Sequence, residues 1–252
     1  MTAFARCAEA CGYEAIYVVE HLIIPDAYES RYPYSPTGRM PLPAGVDVPD
    51  PLELLAFLAA RTDRIRLGTG MLVLPVHLPV HLAKRLATLD RLSGGRVTVG
   101  VGVGWLKEEL DLAGADWSGR GKLADEAIAE LRRRWSTDDA DVFPKPVQQP
   151  GPPIHIGGHS PAAARRAGRY GDGFQPLGVA GDDLARLVDI VNEHASGRTV
   201  ELSLGGLLDE LDDDRLLAAD AAGADRLVLS TRDGDLAATC NLLEAVADRY
   251  LR

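Results

Sequence analysis

The sequence predicts an α/β fold, a (β/α)8 TIM barrel that lacks the first β-strand at its N-terminus. Seven apolar, strand-like segments alternate with helical segments along the 252 residues. Near-continuous apolar strands of this kind are typical of a parallel sheet covered by helices. The length is typical of one barrel, so residues 1–252 are expected to form a single domain.

Glycine and capping residues set the element boundaries in the first half of the chain. Gly12 ends the first helix, and Asp50 caps the second. The predicted order is helix 2–11, strand 15–20, helix 51–61, strand 65–74, helix 79–92 and strand 96–103. Because the chain begins inside what should be the first helix, the strand before it is expected to be missing, through a wrong start site or a real truncation.

The second half keeps the same alternation after a proline-rich connector. Helical segments beginning at Leu106 and Lys122 lead into residues 143–153, which proline keeps extended. The order then continues with strand 154–156, helix 162–170, strand 172–176, helix 182–194, strand 199–204, helix 212–222, strand 226–230 and helix 236–250.

The segment 152–162 predicts a strand that runs into an anion-binding turn. Gly157 and Gly158 carry no Cβ to block an anion, and His159 offers a backbone N–H. Ser160 and Pro161 suit the N-cap and first position of the next helix, whose free N–H groups and dipole face the ligand. The turn indicates a phosphorylated cofactor, although a tight turn with a good cap explains the same residues.

Composition excludes several classes of partner. The net charge of −10 argues against nucleic acid or an anionic membrane as a partner. No stretch of eighteen apolar residues and no export pattern occur, so a cytoplasmic protein is expected.

No metal site is expected from the sequence. Cys7, Cys11 and Cys240 lack zinc-site spacing, and they are interpreted as buried thiols. His77 and His81 stand four residues apart, but prolines surround them and no carboxylate lies at metalloprotease spacing.

Several blocks between residues 13 and 176 together resemble the luciferase-like monooxygenase family (the bacterial luciferase superfamily), especially its coenzyme F-420-dependent branch. They are YVVEHL at 17–22, LGTGM at 67–71, AKRLATLD at 83–90, LSGGRV at 92–97, GVGVGW at 100–105, PKPV at 144–147 and the anion turn.

The resemblance implies a barrel that holds an isoalloxazine-like ring at the carboxyl ends of its strands. It places the cofactor's phosphate at Gly157, Gly158 and Ser160, and a non-proline cis peptide that supports the ring at Gly70-Met71. The family also suggests a homodimer. FMN is the alternative cofactor, since it carries the same kind of ring and phosphate.

The wall beside the ring is expected on the strand 96–103. Gly100, Gly102 and Gly104 alternate there, which leaves a smooth surface for a flat ring or close packing against a helix. Trp105 stands where sugar-phosphate dehydrogenases of the family place a carboxylic acid, so that reaction is doubtful here. Trp105 is expected instead to stack on an apolar substrate.

His21 is the candidate for proton transfer, because it directly follows a strand and imidazole titrates near neutral pH. Glu20 is a second catalytic candidate, with a buried ion pair as its alternative. The loop 28–50, with three tyrosines and several prolines, is predicted to be a substrate lid. Arg165, Arg166 and Arg169 either attract an acidic cofactor tail or form a solvated face.

The sequence therefore predicts an F-420-dependent oxidoreductase that transfers a hydride between the deazaflavin and a small organic substrate. The first alternative is an FMN-dependent monooxygenase that uses oxygen and a separate flavin reductase. The second is a truncated barrel without catalytic activity.

Overall fold

The computed structural model describes residues 1–41, 45–231 and 234–251. Its strands are β1 Ala15–Val18, β2 Arg66–Thr69, β3 Leu72–Val73, β4 Val97–Gly102, β5 Ile154–Gly157, β6 Gly173–Gln175, β7 Glu201–Leu207 and β8 Arg226–Ser230. Its α-helices are α1 Thr2–Cys11, α2 Pro51–Ala59, α3 Pro79–Leu92, α4 Lys107–Leu112, α5 Arg120–Trp135, α6 Pro161–Tyr170, α7 Gly181–His194, α8 Asp213–Ala221 and α9 Leu236–Tyr250. Two 3-10 helices, Leu74–Val76 and Leu208–Glu210, follow β3 and β7.

All described strand pairs are parallel and form one curled sheet. The order along the sheet is β1-β2-β4-β5-β6-β7-β8, and the short β3 pairs with the carboxyl end of β4. Consecutive parallel strands need a crossover, and most crossovers here are helices, as in a (β/α) barrel. The carboxyl ends of the strands therefore meet at one mouth of the sheet.

The two faces of the sheet differ in composition. Side chains on the outer face are apolar, buried and packed against the helices, among them Ile16, Leu67, Val99, Ile154, Ile156 and Phe174. The inner face is rich in glycine, with Gly68, Gly100, Gly157 and Gly173 on four strands. Tyr17, Met71 and His155 fill the space that these glycines leave.

The barrel is open on one side. Within the described residues no strand joins β1 to β8, and helices α1 and α9 pack against each other across that side. The Arg226 guanidinium donates to both carboxylate oxygens of Glu14, at 2.7 and 2.8 Å. The predicted barrel with an incomplete set of strands is therefore confirmed.

Two predicted strands were too long. The strand expected at 65–74 is interrupted at Gly70 and Met71, which are joined by a cis peptide bond, as the family resemblance implies. The strand expected at 15–20 ends at Val18, and beyond it the backbone N–H of Leu22 donates to the side chain of Glu109 rather than to a neighbouring strand. In the part of the chain that the structure describes, no helix is long and apolar enough to cross a membrane.

Replacing Gly100 by Ala is expected to destabilise the fold strongly. A Cβ there would lie 2.0 Å from the backbone oxygen of Thr69, which cannot move away cheaply. Overpacking of this kind costs about 3 kcal/mol or more. The matched change Gly102→Ala places its Cβ no closer than 3.6 Å to any atom and should leave the melting temperature nearly unchanged. Equal melting temperatures for the two variants would contradict this packing argument.

Candidate active site

Helix α4 holds the chain segment that leaves β1. The buried carboxylate of Glu109, in the first turn of α4, accepts hydrogen bonds from the backbone N–H groups of Leu22 and Ile23. Its neighbour Glu108 accepts from the N–H groups of Glu29 and Ser30, at 2.6 and 3.1 Å. Two adjacent carboxylates thus fix both ends of the segment 22–30.

The same carboxylate orients His21. Glu109 Oε2 lies 3.1 Å from His21 Nδ1, and the imidazole side chain is only 7% exposed. A carboxylate on Nδ1 favours the tautomer whose proton sits there, which leaves Nε2 able to accept a proton. His21 borders two neighbouring cavities, of about 560 and 300 Å³.

Glu20 points elsewhere. Its carboxylate is buried, accepts a hydrogen bond from the backbone N–H of Val73, and lies 3.0 Å from Nε2 of His77. The structure therefore separates the two neighbours, since Glu20 pairs with His77 and His21 pairs with Glu109. The sequence left a buried ion pair as the alternative for Glu20, and the residue that the structure places against its carboxylate is His77.

Aromatic rings connect His21 to the anion turn. The ring of Trp105 makes edge contacts with His21 at 5.9 Å, Tyr28 at 5.7 Å and Tyr32 at 5.0 Å. Tyr32 then contacts Tyr34, and Tyr34 contacts His159 at 5.2 Å. The first part of loop 28–50, residues 28–34, therefore lies between the carboxyl ends of β1 and β5. Residues 42–44 of that loop lie outside the described residues.

Met71 forms the floor of this mouth. A Cβ at Gly157 would come within 2.8 Å of the Met71 side chain, and one at Gly102 within 3.6 Å. Gly70 precedes Met71 through the cis bond and donates its N–H to Val18 O. Gly104 differs, because a Cβ there would meet Leu110 and Val73 at 2.8 and 3.0 Å. Close packing explains Gly104, whereas a Cβ at Gly102 would make only ordinary van der Waals contacts.

The turn after β5 has the geometry of an anion-binding site. Gly158 has φ +120°, a conformation that favours glycine. Ser160 caps α6, its hydroxyl accepting from Ala163 N at 3.2 Å. Among the described residues, no acceptor is found for the backbone N–H groups of His159, Ser160 and Ala162.

A polar side chain beside the turn supports a ligand here. Gln175 ends β6 and pairs in register with Gly157. Its side-chain amide oxygen is buried without a hydrogen-bond partner in the described structure. Since buried polar atoms normally have partners, a donor on a bound molecule would satisfy it.

The three arginines that follow the turn differ in exposure. Arg166 is held by Asp125 and by Gly121 O, so it does not reach the turn, whereas Arg165 and Arg169 are exposed.

His155 is buried within the sheet, and burial lowers its pKa below the usual histidine value. His155 therefore stays neutral near pH 7.

Glu108, Glu109 and Gln175 were missed by the sequence analysis. Glu109 is 88 residues from His21, and no local pattern connects them. The only signal is a pair of adjacent glutamates at the start of a short helix, which is normally read as a solvated helix end.

Comparison with known proteins places these features in a family. The sequence model of a family described as luciferase-like monooxygenase matches residues 1–206. An uncharacterised protein of Mycobacterium tuberculosis is 36% identical over 195 residues, which cover 73% of this chain and 67% of that protein. An F-420-dependent glucose-6-phosphate dehydrogenase of Amycolatopsis mediterranei is 29% identical over 218 residues, which cover 79% of this chain and 60% of that protein.

Solved structures show the same fold. The coenzyme F-420-dependent tetrahydromethanopterin reductase of Methanopyrus kandleri has a TM-score of 0.76 at 16% identity, covering 99% of this chain and 94% of that chain. The oxygenating constituent of 3,6-diketocamphane monooxygenase from Pseudomonas putida, in complex with FMN, has a TM-score of 0.64 at 18% identity, covering 82% of this chain and 60% of that chain.

Replacing Glu108 by Gln is expected to loosen the loop after β1. Hydrogen bonds from Ser30, first from its hydroxyl, lower the pKa of Glu108 to about 2 against the opposing effect of burial. Because the folded pKa lies below the ordinary 4.5, the stabilising effect is complete above that pH and is lost as pH falls through about 2. At neutral pH, trypsin should cut after the exposed Arg31 several-fold faster in the variant than in the native chain.

The matched control is Glu126→Gln on α5, where the glutamate makes only an exposed ion pair with Lys122. It should leave the cleavage rate unchanged. The difference in unfolding free energy between the native chain and the Glu108 variant should also shrink as pH falls below 4.5. A difference that stays constant down to about pH 2 would show that the Glu108 charge does not hold the loop.

Proposed function

Because the chain belongs to the luciferase-like monooxygenase family, we propose that it is a coenzyme F-420-dependent oxidoreductase acting on a small organic substrate. One observation carries the proposal. A buried histidine–carboxylate pair and the capped glycine turn after β5 lie at the same mouth of the sheet, connected by Trp105 and two tyrosine rings of loop 28–50. The F-420-dependent dehydrogenase and reductase reported above support the proposal, although what they bind is known of those proteins and not of this chain.

The residues present fit such a cofactor. The free N–H groups at His159 and Ser160, with Gly157 and Gly158, would hold its phosphate at the start of α6. Met71, Gly70 and the inner face at Gly102 would lie against its flat ring. A ring N–H or a sugar-alcohol hydroxyl would donate to the unpartnered oxygen of Gln175.

When bound, F-420 would supply or accept the hydride, and this chain's residues would position the reactants and move the proton. His21 Nε2 would take the proton from an alcohol, or return it to the reduced product, while Glu109 stabilises the imidazolium that forms. Trp105 and the loop tyrosines would contact the substrate and keep water from it. The loop 28–50 would act as a lid, which Glu108 and Glu109 anchor at one end.

An FMN-dependent monooxygenase is the second candidate, since a structural relative with this fold binds FMN. That enzyme would need reduced flavin, oxygen and a separate flavin reductase. The exposed Arg165, one turn into α6, favours F-420, because that cofactor carries an acidic tail beyond its phosphate.

The homodimer and the cytoplasmic location stay predictions that rest on the family resemblance and on composition.

Titration of the purified chain with F-420 and with FMN, followed by fluorescence, tests the cofactor. Ser160→Ala should weaken binding of F-420, because it disturbs the turn whose N–H groups face the phosphate. The matched control is Asp212→Ala, which removes the same kind of cap from α8. Each change costs about 1 kcal/mol of stability. Only Ser160→Ala should also reduce cofactor affinity.

Gly157→Val should abolish F-420 binding, because a Cβ there would come within 2.8 Å of the Met71 side chain and displace it toward the proposed ring site. Unchanged affinity for both cofactors in this variant would remove the proposed site. Tight binding of FMN with none of F-420 would favour the monooxygenase.

His21→Ala should lower turnover by about 100-fold or more while cofactor affinity stays the same. Turnover is measured by the fluorescence change of F-420 with a panel of small alcohols and of unsaturated or carbonyl compounds. The control is His81→Ala, since His81 is exposed on α3 away from the His21–Glu109 pair. Loss of cofactor affinity without loss of turnover would make His21 a packing residue.

A further inference from the structure

Helices α1 and α9 bring four metal-binding side chains to one interface. Cys7 and Cys11 stand four residues apart on α1, and Cys240 and Glu244 stand four residues apart on α9. Residues at this spacing lie on one face of a helix, one turn apart. The two helices pack against each other, so the two pairs face one another although 229 or more positions separate them in the sequence.

The donor atoms are already close. The sulfur atoms of Cys7 and Cys11 and a carboxylate oxygen of Glu244 all lie within 4.8 Å of one another. The thiol of Cys240 neighbours that of Cys7, whose sulfur also lies 3.9 Å from Cys240 O. Ligands of a tetrahedral zinc ion stand about 3.8 Å apart, so small shifts would bring the donors of Cys7, Cys11 and Glu244 to that spacing, and the neighbouring Cys240 thiol would turn toward them as the fourth ligand.

In the described structure, the hydrogen bond of the Cys7 thiol stays within the cluster, since it donates to Cys240 O at 3.9 Å. All three cysteines are free thiols. Among the described residues, Glu244 makes no hydrogen bond or ion pair, whereas Asp213 on the neighbouring α8 pairs with Arg249. Cys11 is buried, and Cys7 and Cys240 are partly buried, so the site is half-enclosed with its carboxylate at the solvent side.

We propose that Cys7, Cys11, Cys240 and Glu244 form a structural zinc site. Thiolates favour Zn²⁺ over Mg²⁺ or Ca²⁺, and a closed four-ligand shell is typical of structural zinc. Binding forms three Zn–S bonds and one Zn–O bond, and the three thiol protons leave to solvent without any change of oxidation state. The proposal is independent of the redox function.

The proposed zinc site lies at the open side of the sheet, where a metal ion would stabilise the fold. Among the described residues, the open side of the sheet between β1 and β8 is spanned by helix packing, the Arg226–Glu14 pair and the hydrogen bond from Tyr13 Oη to Leu243 O. A zinc ion held by α1 and α9 would join the first and last helices across that side. It would stabilise the folded chain according to its affinity and concentration.

The experiment uses the full chain, reduced with a phosphine and freed of metal. Titration with Co²⁺ should give sulfur-to-cobalt charge-transfer absorption together with the visible bands of a tetrahedral ion. Zn²⁺ should displace the cobalt stoichiometrically and raise the melting temperature by several degrees. Glu244→Gln keeps the shape of an exposed side chain and should weaken Zn²⁺ binding at least about tenfold. The matched control Glu193→Gln, exposed on α7, should not.

Cys7→Ala and Cys240→Ala test the thiol ligands separately, and each should reduce the charge-transfer absorption. Their own melting temperatures without metal show whether the variants fold. Absence of charge-transfer absorption in the native chain would overturn the proposal. So would a zinc-induced rise in melting temperature that persists in both cysteine variants.

Discussion

The inner face of the curled sheet has little free space, and that constraint determines where large side chains can go. Glycines on four strands leave a volume that Tyr17, Met71 and His155 then occupy. At Gly100 even a methyl group would meet backbone. The described cavities of about 560 and 300 Å³ lie instead beside His21, in the segment that follows β1.

A second constraint acts through the buried carboxylate of Glu109. An ionised carboxylate with little exposure is costly unless it is paired and hydrogen-bonded. Glu109 is 1% exposed and is satisfied by His21 and two backbone N–H groups that all belong to the segment after β1. The path of that segment and the orientation of the imidazole are therefore one arrangement. A displacement of α4 would disturb both.

Most of the fold could be predicted from the sequence, because apolar periodicity, glycines and caps are local signals. The turn after β5 with its Ser160 cap and the cis bond at Gly70-Met71 were also predicted, the first from its residues and the second from the family resemblance. The partners of His21 and Glu20 could not be predicted from the sequence, because Glu109 and His77 are brought close to them only by the curvature of the sheet. The grouping of Cys240 with Cys7 and Cys11 likewise needed the packing of the first helix on the last.

The packing of α1 against α9 also bears on how the chain folds. Contacts such as that between Tyr13 and Leu243 join residues 230 positions apart. Loop closure of this length carries a large entropic cost, and folding rates fall as contacts become more distant in sequence. During synthesis on the ribosome, α1 emerges long before α9, so the part of α1 that packs against α9 stays uncovered until then. That interval is when the nascent chain most needs protection from aggregation.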